Sequence, residues 1–196
     1  MEYLIRHYDL EEGALEIQYI EEWFGEFRRR KMASEITRRL CDRDPIILMA
    51  EAPLPDVPGQ VVPVSYTVGH EIRLDEGDPK LNDLVDRLSD AIDFVGRRVL
   101  YSWIGATRRD WRGQGHFRAL TEQQEVWAIG AGFDEIVVKT KNRFFDMRGT
   151  LDTLGFEVVK FERSPDDNGE SKVYLSKRLG PAVLDSHRSV RTVVRG

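Results

Sequence analysis

The sequence predicts an α/β domain built on a mixed central sheet of about seven strands, with helices on both faces. Residues 98–140 carry a strand, a glycine turn, a helix and a second strand, the pattern of a crossover βαβ unit. Short β-branched or apolar runs alternate along the chain with stretches whose apolar residues recur at helical spacing. A length of 196 residues suffices for one hydrophobic core, and 41% apolar with 32% charged residues is the composition of a folded chain. The expected organisation is a single domain over 1–179 with a helical insertion at about 73–97, then a tail at 180–196 containing Arg188, Arg191 and Arg195.

Taken in order, residues 2–8 read as a short strand, and ALEIQYIEEWF places Leu15, Ile17, Ile20, Trp23 and Phe24 at helical spacing. A second helix is expected after Gly25, over about 28–41. PIILMAEA is a continuous apolar run between Pro45 and the breaker-rich APLPDVPGQ, which fits a buried strand, and VVPVSYTVGHEI (61–72) is its hairpin partner. An acidic turn from Asp75 to Pro79 leads into a helix with Leu81, Leu84, Val85, Leu88, Ile92 and Val95 on one face, ended by Gly96. VLYSWIGAT (99–107) is a strand with Val99, Tyr101, Trp103, Gly105 and Thr107 on one face. His116 to Ala131 forms the next helix, GFDEIVVKT a turn and strand, and Asn142 to Leu154 a helix stopped at Gly155. FEVVKFE and SKVYLSKRL close the chain as a hairpin around SPDDNGE.

The bulk properties exclude several function classes. A net charge of −5 and a pI near 5.5 provide no field for a nucleic-acid backbone, and the run Arg28-Arg29-Arg30-Lys31 is most simply a solvated helix face. With Cys41 as the single cysteine there is no disulfide framework and no thiolate metal cluster, so no metal is expected. MEYLIRHYDL is charged throughout, and no stretch approaches the ~18 apolar residues of a membrane span. A soluble, cytoplasmic protein with no membrane partner is expected.

The chemistry is concentrated in WRGQGHFRAL, residues 111–120. Gly113 and Gly115 permit turns that a Cβ forbids and let a ligand approach the main chain. The helix that follows presents its first amide N–H groups and the positive end of its dipole, and Arg112 adds a charged fork, so a phosphate or pyrophosphate fits. Two nucleotide motifs do not match. A P-loop needs Lys followed by Ser or Thr where this chain has His116-Phe117, and a dinucleotide site needs a third glycine and an acidic residue after the next strand, which here ends Val-Val-Lys-Thr-Lys.

These residues resemble the GNAT N-acyltransferase superfamily. Its acyl-CoA signature is Arg or Gln, two residues, Gly, one residue, then Gly or Ala, and Arg112 to Phe117 matches it except at the last position. Asn142 after a strand, Met147 and Leu154-Gly155-Phe156 are similar to the family's second block, and the likeness is strongest over about 98–160. The resemblance implies acetyl-CoA as acyl-donor cosubstrate. Backbone groups of Ile104, Ala106 and Thr107 are then expected along the acyl and pantetheine arm, and Arg112 with the amides of Gly113, Gln114, Gly115, His116 and Phe117 at the pyrophosphate. Asn142 is expected on the pantetheine or sulfur side. Phe117 stands where the family has a small residue, and Leu151 where many members carry the tyrosine that protonates the departing thiolate.

The implied activity is an N-acetyltransferase, in which a primary amine of a small molecule or peptide attacks the thioester directly. A lysine-like amine with a pKa of ~10.4 is about one part in a thousand neutral at pH 7, so its proton must be removed. Glu71 is the first candidate base, with His70, Asp110 and His116 as others; Tyr101 is the candidate acid, with Tyr66 and water as alternatives. Asp75, Glu76 and Asp78 would favour a cationic acceptor if they faced its pocket, and Trp103 and Trp111 are stacking candidates or core residues. The resemblance also implies a homodimer. The competing expectation is a catalytically silent GNAT-like protein that binds acyl-CoA as a sensor or pathway partner.

Overall fold

The computed structural model describes residues 3–10, 20, 32–54, 57–187 and 193–195. The expected helix over 14–24 lies outside them except for Ile20, and the basic run 28–31 lies outside entirely. The chain forms two compact units, one of Met1–His70, Ile104–Gln124 and Arg188–Gly196, the other of Glu71–Trp103 and Glu125–His187. Three elements pass covalently from one to the other: strands β3 (Val61–Ile72) and β4 (Val99–Thr107) and helix α3 (His116–Gly130).

In the first unit, strand β2 (Pro45–Pro53) is flanked by β1 (Leu4–Tyr8) and β3 (Val61–Ile72), both antiparallel to it, with pairs such as His7↔Leu48 and Ile47↔Val68. The apolar run Ile46 to Ala50 is buried throughout, as a strand covered on both faces must be. Short strand β8 (Val193–Arg195), within the segment read as a tail whose structure the sequence does not fix, adds parallel to β1. Helix α1 (Ala33–Leu40) buries Ile36 and Leu40, one turn apart, and the part of the expected helix over 28–31 lies outside the described residues.

The second unit is a mixed sheet. The first half of β4 runs parallel to β5 (Glu135–Lys141), as the α3 crossover requires, and β7 (Lys172–Arg178) lies antiparallel between β5 and β6 (Glu157–Glu162). Helix α2 (Pro79–Leu88) starts where Asp78 Oδ1 accepts from Lys80 N at 2.8 Å, with Pro79 in its first turn. Its Leu81, Leu84, Val85 and Leu88 pack with Ile72, Val99, Tyr101, Val137 and Tyr174. Each of those side chains contributes roughly 1.5–3 kcal/mol by burial. Helix α4 (Phe145–Thr153) covers the opposite face, where Thr140 Oγ1 donates to Met147 Sδ at 3.3 Å. The sheet is therefore covered on both faces, as expected.

Two boundaries differ from the periodicity. Helix α2 ends at Leu88, because Ala91 N and Ile92 N both turn back to the Leu88 carbonyl and Asp93 caps Val95 N. Val95, placed on the apolar face by spacing, is 75% exposed. Helix α4 begins at Phe145 instead of Asn142, since the amides of Asn142 and Arg143 are taken by the carbonyls of Ser171 and Gly169. Helix α5 (Pro181–Leu184) is a single turn within the expected tail.

A buried ionic group ties α3 to β7. Lys177 Nζ contacts both oxygens of Glu125 at 2.8 and 2.9 Å, and His187 Nε2 lies 2.7 Å from Oε2. Glu125 is 0% and Lys177 8% exposed, so removing one partner strands a charge. Glu125→Ala is expected to cost about 3–5 kcal/mol in urea unfolding. Adding Lys177→Met should recover most of that loss; a single-variant loss below about 1 kcal/mol would show the pair to be solvated.

Candidate active site

In the first unit, β4 ends at Thr107, a 3-10 turn (Arg109–Trp111) redirects the chain, and Arg112 to Gly115 leads into α3. Gly113 and Gly115 have φ of +74° and +81°, a region that disfavours any Cβ, yet a Cβ at either would meet nothing within 4 Å. Backbone conformation demands these glycines, and the space beside them is open. The helix's first bond runs from Ala119 N to Gly115 O at 3.0 Å, so the amides ahead of it have no acceptor within the helix. They lie at the positive end of its dipole. Arg112 is tethered beside them, its Nε donating to the Thr107 carbonyl at 3.1 Å. Phe117 is half-buried at the first turn, and Gln114 Oε1 is buried with no hydrogen-bond partner among the described residues.

His116 contributes to this loop through its backbone. Its imidazole is 1% exposed, stacked on Tyr3 with ring centroids 4.1 Å apart and 5.8 Å from the ring of Trp111. That packing removes the side chain from the role of a solvent-accessible base, and Trp111 is likewise buried rather than set out to stack on a substrate. The end of β4 is fastened to β3: Ser65 Oγ donates to the Ala106 carbonyl at 3.0 Å and lies 2.7 Å from Thr107 Oγ1, and Arg108 N donates to the Val64 carbonyl at 3.0 Å. Gly105 is required here by crowding, because a Cβ would stand 2.9 Å from the Tyr66 carbonyl. Ile104 is half-buried just before it. Tyr66, buried on β3, has its phenol pushed up by desolvation and stays protonated.

In the second unit, Glu71 is held by two guanidinium groups, with Arg73 Nε 2.9 Å from Oε2 and Arg98 Nε 3.0 Å from Oε1. Burial alone would raise its carboxyl, but the hydrogen bonds and charges of Arg98 and Arg73 outweigh it and hold the group below the usual carboxylate range. Such a carboxylate is ionised at neutral pH and weakly basic. Tyr101 is 7% exposed in the core under α2. Asn142 has both ends of its amide engaged, Nδ2 donating to the Asn168 carbonyl at 3.2 Å and Oδ1 accepting from Arg148. Leu151 is fully buried in α4. The carboxylates of the acidic turn are structural: Glu76 accepts from Arg73 N and Asp78 caps α2, while Asp75 is exposed. His70 is fully buried on β3, and Asp110 pairs with Arg108 at 3.1 Å.

Sequence reasoning missed one group on the α2 face of the second unit. Lys139 Nζ stands 5.5 Å from the centroid of the Tyr174 ring, and Tyr174 donates to Glu162 Oε2 at 3.1 Å. Arg87 bridges Asp83 and Glu162, and Lys172 Nζ lies 3.1 Å from Glu162 Oε2. The signal was present in EIVVKTK, where strand alternation puts Lys139 on the same face as the core residue Val137.

The Glu71 clamp has a pH signature. A depressed folded-state pKa stabilises above the unfolded value of about 4.3 and loses that contribution as pH falls through the folded value. The destabilisation caused by Glu71→Gln in urea unfolding should therefore be greatest near neutrality and narrow below about pH 4. A difference independent of pH would contradict the clamp.

No protein-family model matches the sequence, and no curated protein matches it. Solved structures do match. A structure of the NatC complex bound to Gag peptide and CoA aligns with a TM-score of 0.66 at 15% identity, covering 92% of this chain and 100% of that one. Arabidopsis thaliana NAA60 in complex with acetyl-CoA aligns with a TM-score of 0.68 at 11% identity, covering 90% and 98%. A GNAT superfamily phosphinothricin acetyltransferase from Sinorhizobium meliloti, in complex with acetyl-CoA, aligns with a TM-score of 0.62 at 13% identity, covering 92% and 90%. The chain has the fold of the GNAT acetyltransferases.

Proposed function

We propose that the chain is an acetyl-CoA-dependent N-acetyltransferase acting on a primary amine of a small molecule or peptide. The observation that carries this reading is the turn from Arg112 to Gly115, with two left-handed glycines opening onto the start of α3 directly after β4. In this reading the amides of Gly113, Gln114, Gly115, His116 and Phe117 hold the pyrophosphate, aided by the Arg112 guanidinium. Backbone groups of Ile104, Ala106 and Thr107 line the pantetheine arm, and Asn142 shapes the turn on its sulfur side. The space beside the glycines and the donors at the helix start fit such an anion. Solved structures of this fold with acetyl-CoA support the choice of donor.

The neutral amine of the acceptor attacks the thioester carbon; the C–N bond forms, the C–S bond breaks, and the thiolate leaves. The amine's proton passes to bulk water in this account, because the low basicity of Glu71 makes it a poor resting place. With Leu151 apolar, the thiolate takes its proton from Tyr101 or from water. The clamped Glu71 and the buried Leu151 favour one alternative, a silent acyl-CoA-binding protein.

Acetyl-CoA at about 100 times its Kd should stabilise the protein by about 2.7 kcal/mol, a rise of roughly 5–10 °C in thermal unfolding. Adenosine diphosphate and nicotinamide dinucleotide should give less, and Gly115→Ala should remove most of the acetyl-CoA shift. Release of free thiol that accelerates with added amine separates the enzyme from the silent binder. Absence of any shift at millimolar acetyl-CoA would falsify both.

A further inference from the structure

Three strands of the second unit set out a row of lysines on the sheet face that α2 covers. Lys139 of β5 and Lys160 of β6 both stand opposite Tyr174 of β7, so the two lysines flank that residue on one face. Lys160 reaches the row through a register shift in β6 between Val158 and Lys160. Regular pairing onward from Val158↔Leu175 would set Lys160 opposite Val173, on the other face; the bulge re-aims it. Lys172, two residues before Tyr174 on β7, continues the same face in the next row.

The carboxylate oxygens within this group are already taken. Arg87 occupies both oxygens of Asp83 at 2.8 Å and Glu162 Oε1 at 2.6 Å, while Lys172 and the Tyr174 hydroxyl share Glu162 Oε2 at 3.1 Å. Lys139 Nζ stands 5.5 Å from the centroid of the Tyr174 ring, and Lys160 Nζ donates to the Arg87 carbonyl. Neither of those contacts brings a negative charge. Arg87, Lys139, Lys160 and Lys172 are therefore four cations around two carboxylates, Asp83 and Glu162, and two positive charges are in excess. The three lysines are half-buried, so hydration offsets that excess incompletely; burial, reinforced by Lys172, holds the Lys139 amine below the usual lysine range. We propose that this face binds the dianionic phosphate of a small phosphomonoester, with the ammonium groups of Lys139, Lys160 and Lys172 around its terminal oxygens. The β5 and β6 backbones lie two strand spacings apart, about 10 Å, a gap that two four-carbon lysine stems can close on one tetrahedral anion. Two excess charges match a dianion, where a carboxylate would leave one unmatched. This site lies wholly within the second unit and does not depend on the acyl-CoA loop.

The test is reductive methylation of the whole chain at about pH 8, read lysine by lysine by mass spectrometry, with two probes of the same shape. Methyl phosphate is a dianion at that pH, since its second pKa is about 6, and methyl sulfate is a monoanion. At equal ionic strength, methyl phosphate should slow labelling of Lys139 and Lys160 about tenfold at ten times its Kd, and methyl sulfate should slow it far less. Lys80, exposed on α2, is the reference for bulk screening and should label at an unchanged rate. Lys160→Met should raise the concentration that half-protects Lys139 by about 10- to 100-fold, the range for a hydrogen bond between charged groups, and Lys139→Met should do the same for Lys160. Gly115→Ala, which alters the loop of the first unit, should leave the protection intact; thermal unfolding checks that each variant folds. Unchanged labelling of Lys139 and Lys160, equal slowing by methyl sulfate or at Lys80, or protection that survives both lysine substitutions overturns the inference. Loss of protection in Gly115→Ala also overturns it, by assigning the anion to the loop.

Discussion

Strand β4 is laddered to β5 only as far as Ser102, and from Gly105 onward it is gripped by β3: Ser65 holds the Ala106 carbonyl, Val64 takes the Arg108 amide, and the Tyr66 carbonyl presses against Gly105. One strand thus ends a parallel ladder with neighbours on one side and a side-chain-fastened approach on the other. The glycine at 105 makes the second possible, since any larger residue would meet backbone that has no flexible end to yield. The rest of the candidate site follows from where this strand delivers the chain. Its last residue, Thr107, anchors Arg112, and the turn between them sets the start of α3.

The loop and the second unit solve different electrostatic problems. At the loop, donors are backbone amides oriented by two left-handed glycines, which need no side-chain reorganisation to receive an anion. In the second unit the charges are on side chains, and nearly all are neutralised in place: Glu71 by two arginines, Glu125 by Lys177, Asp83 and Glu162 by Arg87 and Lys172. Against that background Lys139 stands apart, its ammonium set over the face of the Tyr174 ring.

The elements with strong local signals could be read from the sequence. The continuous run PIILMA, the crossover over 98–140 and the glycine turn at 113–115 each declare a backbone geometry through residue type alone. What could not be read depends on distant partners. Nothing local says that His116 stacks on Tyr3, that Glu71 sits between Arg73 and Arg98, or that Glu76 and Asp78 serve their own turn instead of an acceptor. The end of α2 was overestimated because Ile92 and Val95 continue the helical period after the backbone has turned, and the start of α4 because the Asn142 and Arg143 amides are captured by the loop before β7. Lys139 was passed over since a lysine within a strand reads as solvent-facing until the opposite strand places Tyr174 beneath it.

The central claim is that the turn from Arg112 to Gly115 and the first turn of α3 bind the pyrophosphate of acetyl-CoA through main-chain amides. Hydrogen exchange resolved to single amides, with and without acetyl-CoA, tests it most directly. The account predicts that the amides of residues 113–118 exchange readily in the free protein and are slowed at least tenfold by acetyl-CoA, while those of β6 and β7 change little. Unchanged exchange at 113–118 in protein that demonstrably binds acetyl-CoA would place the ligand elsewhere and contradict the claim.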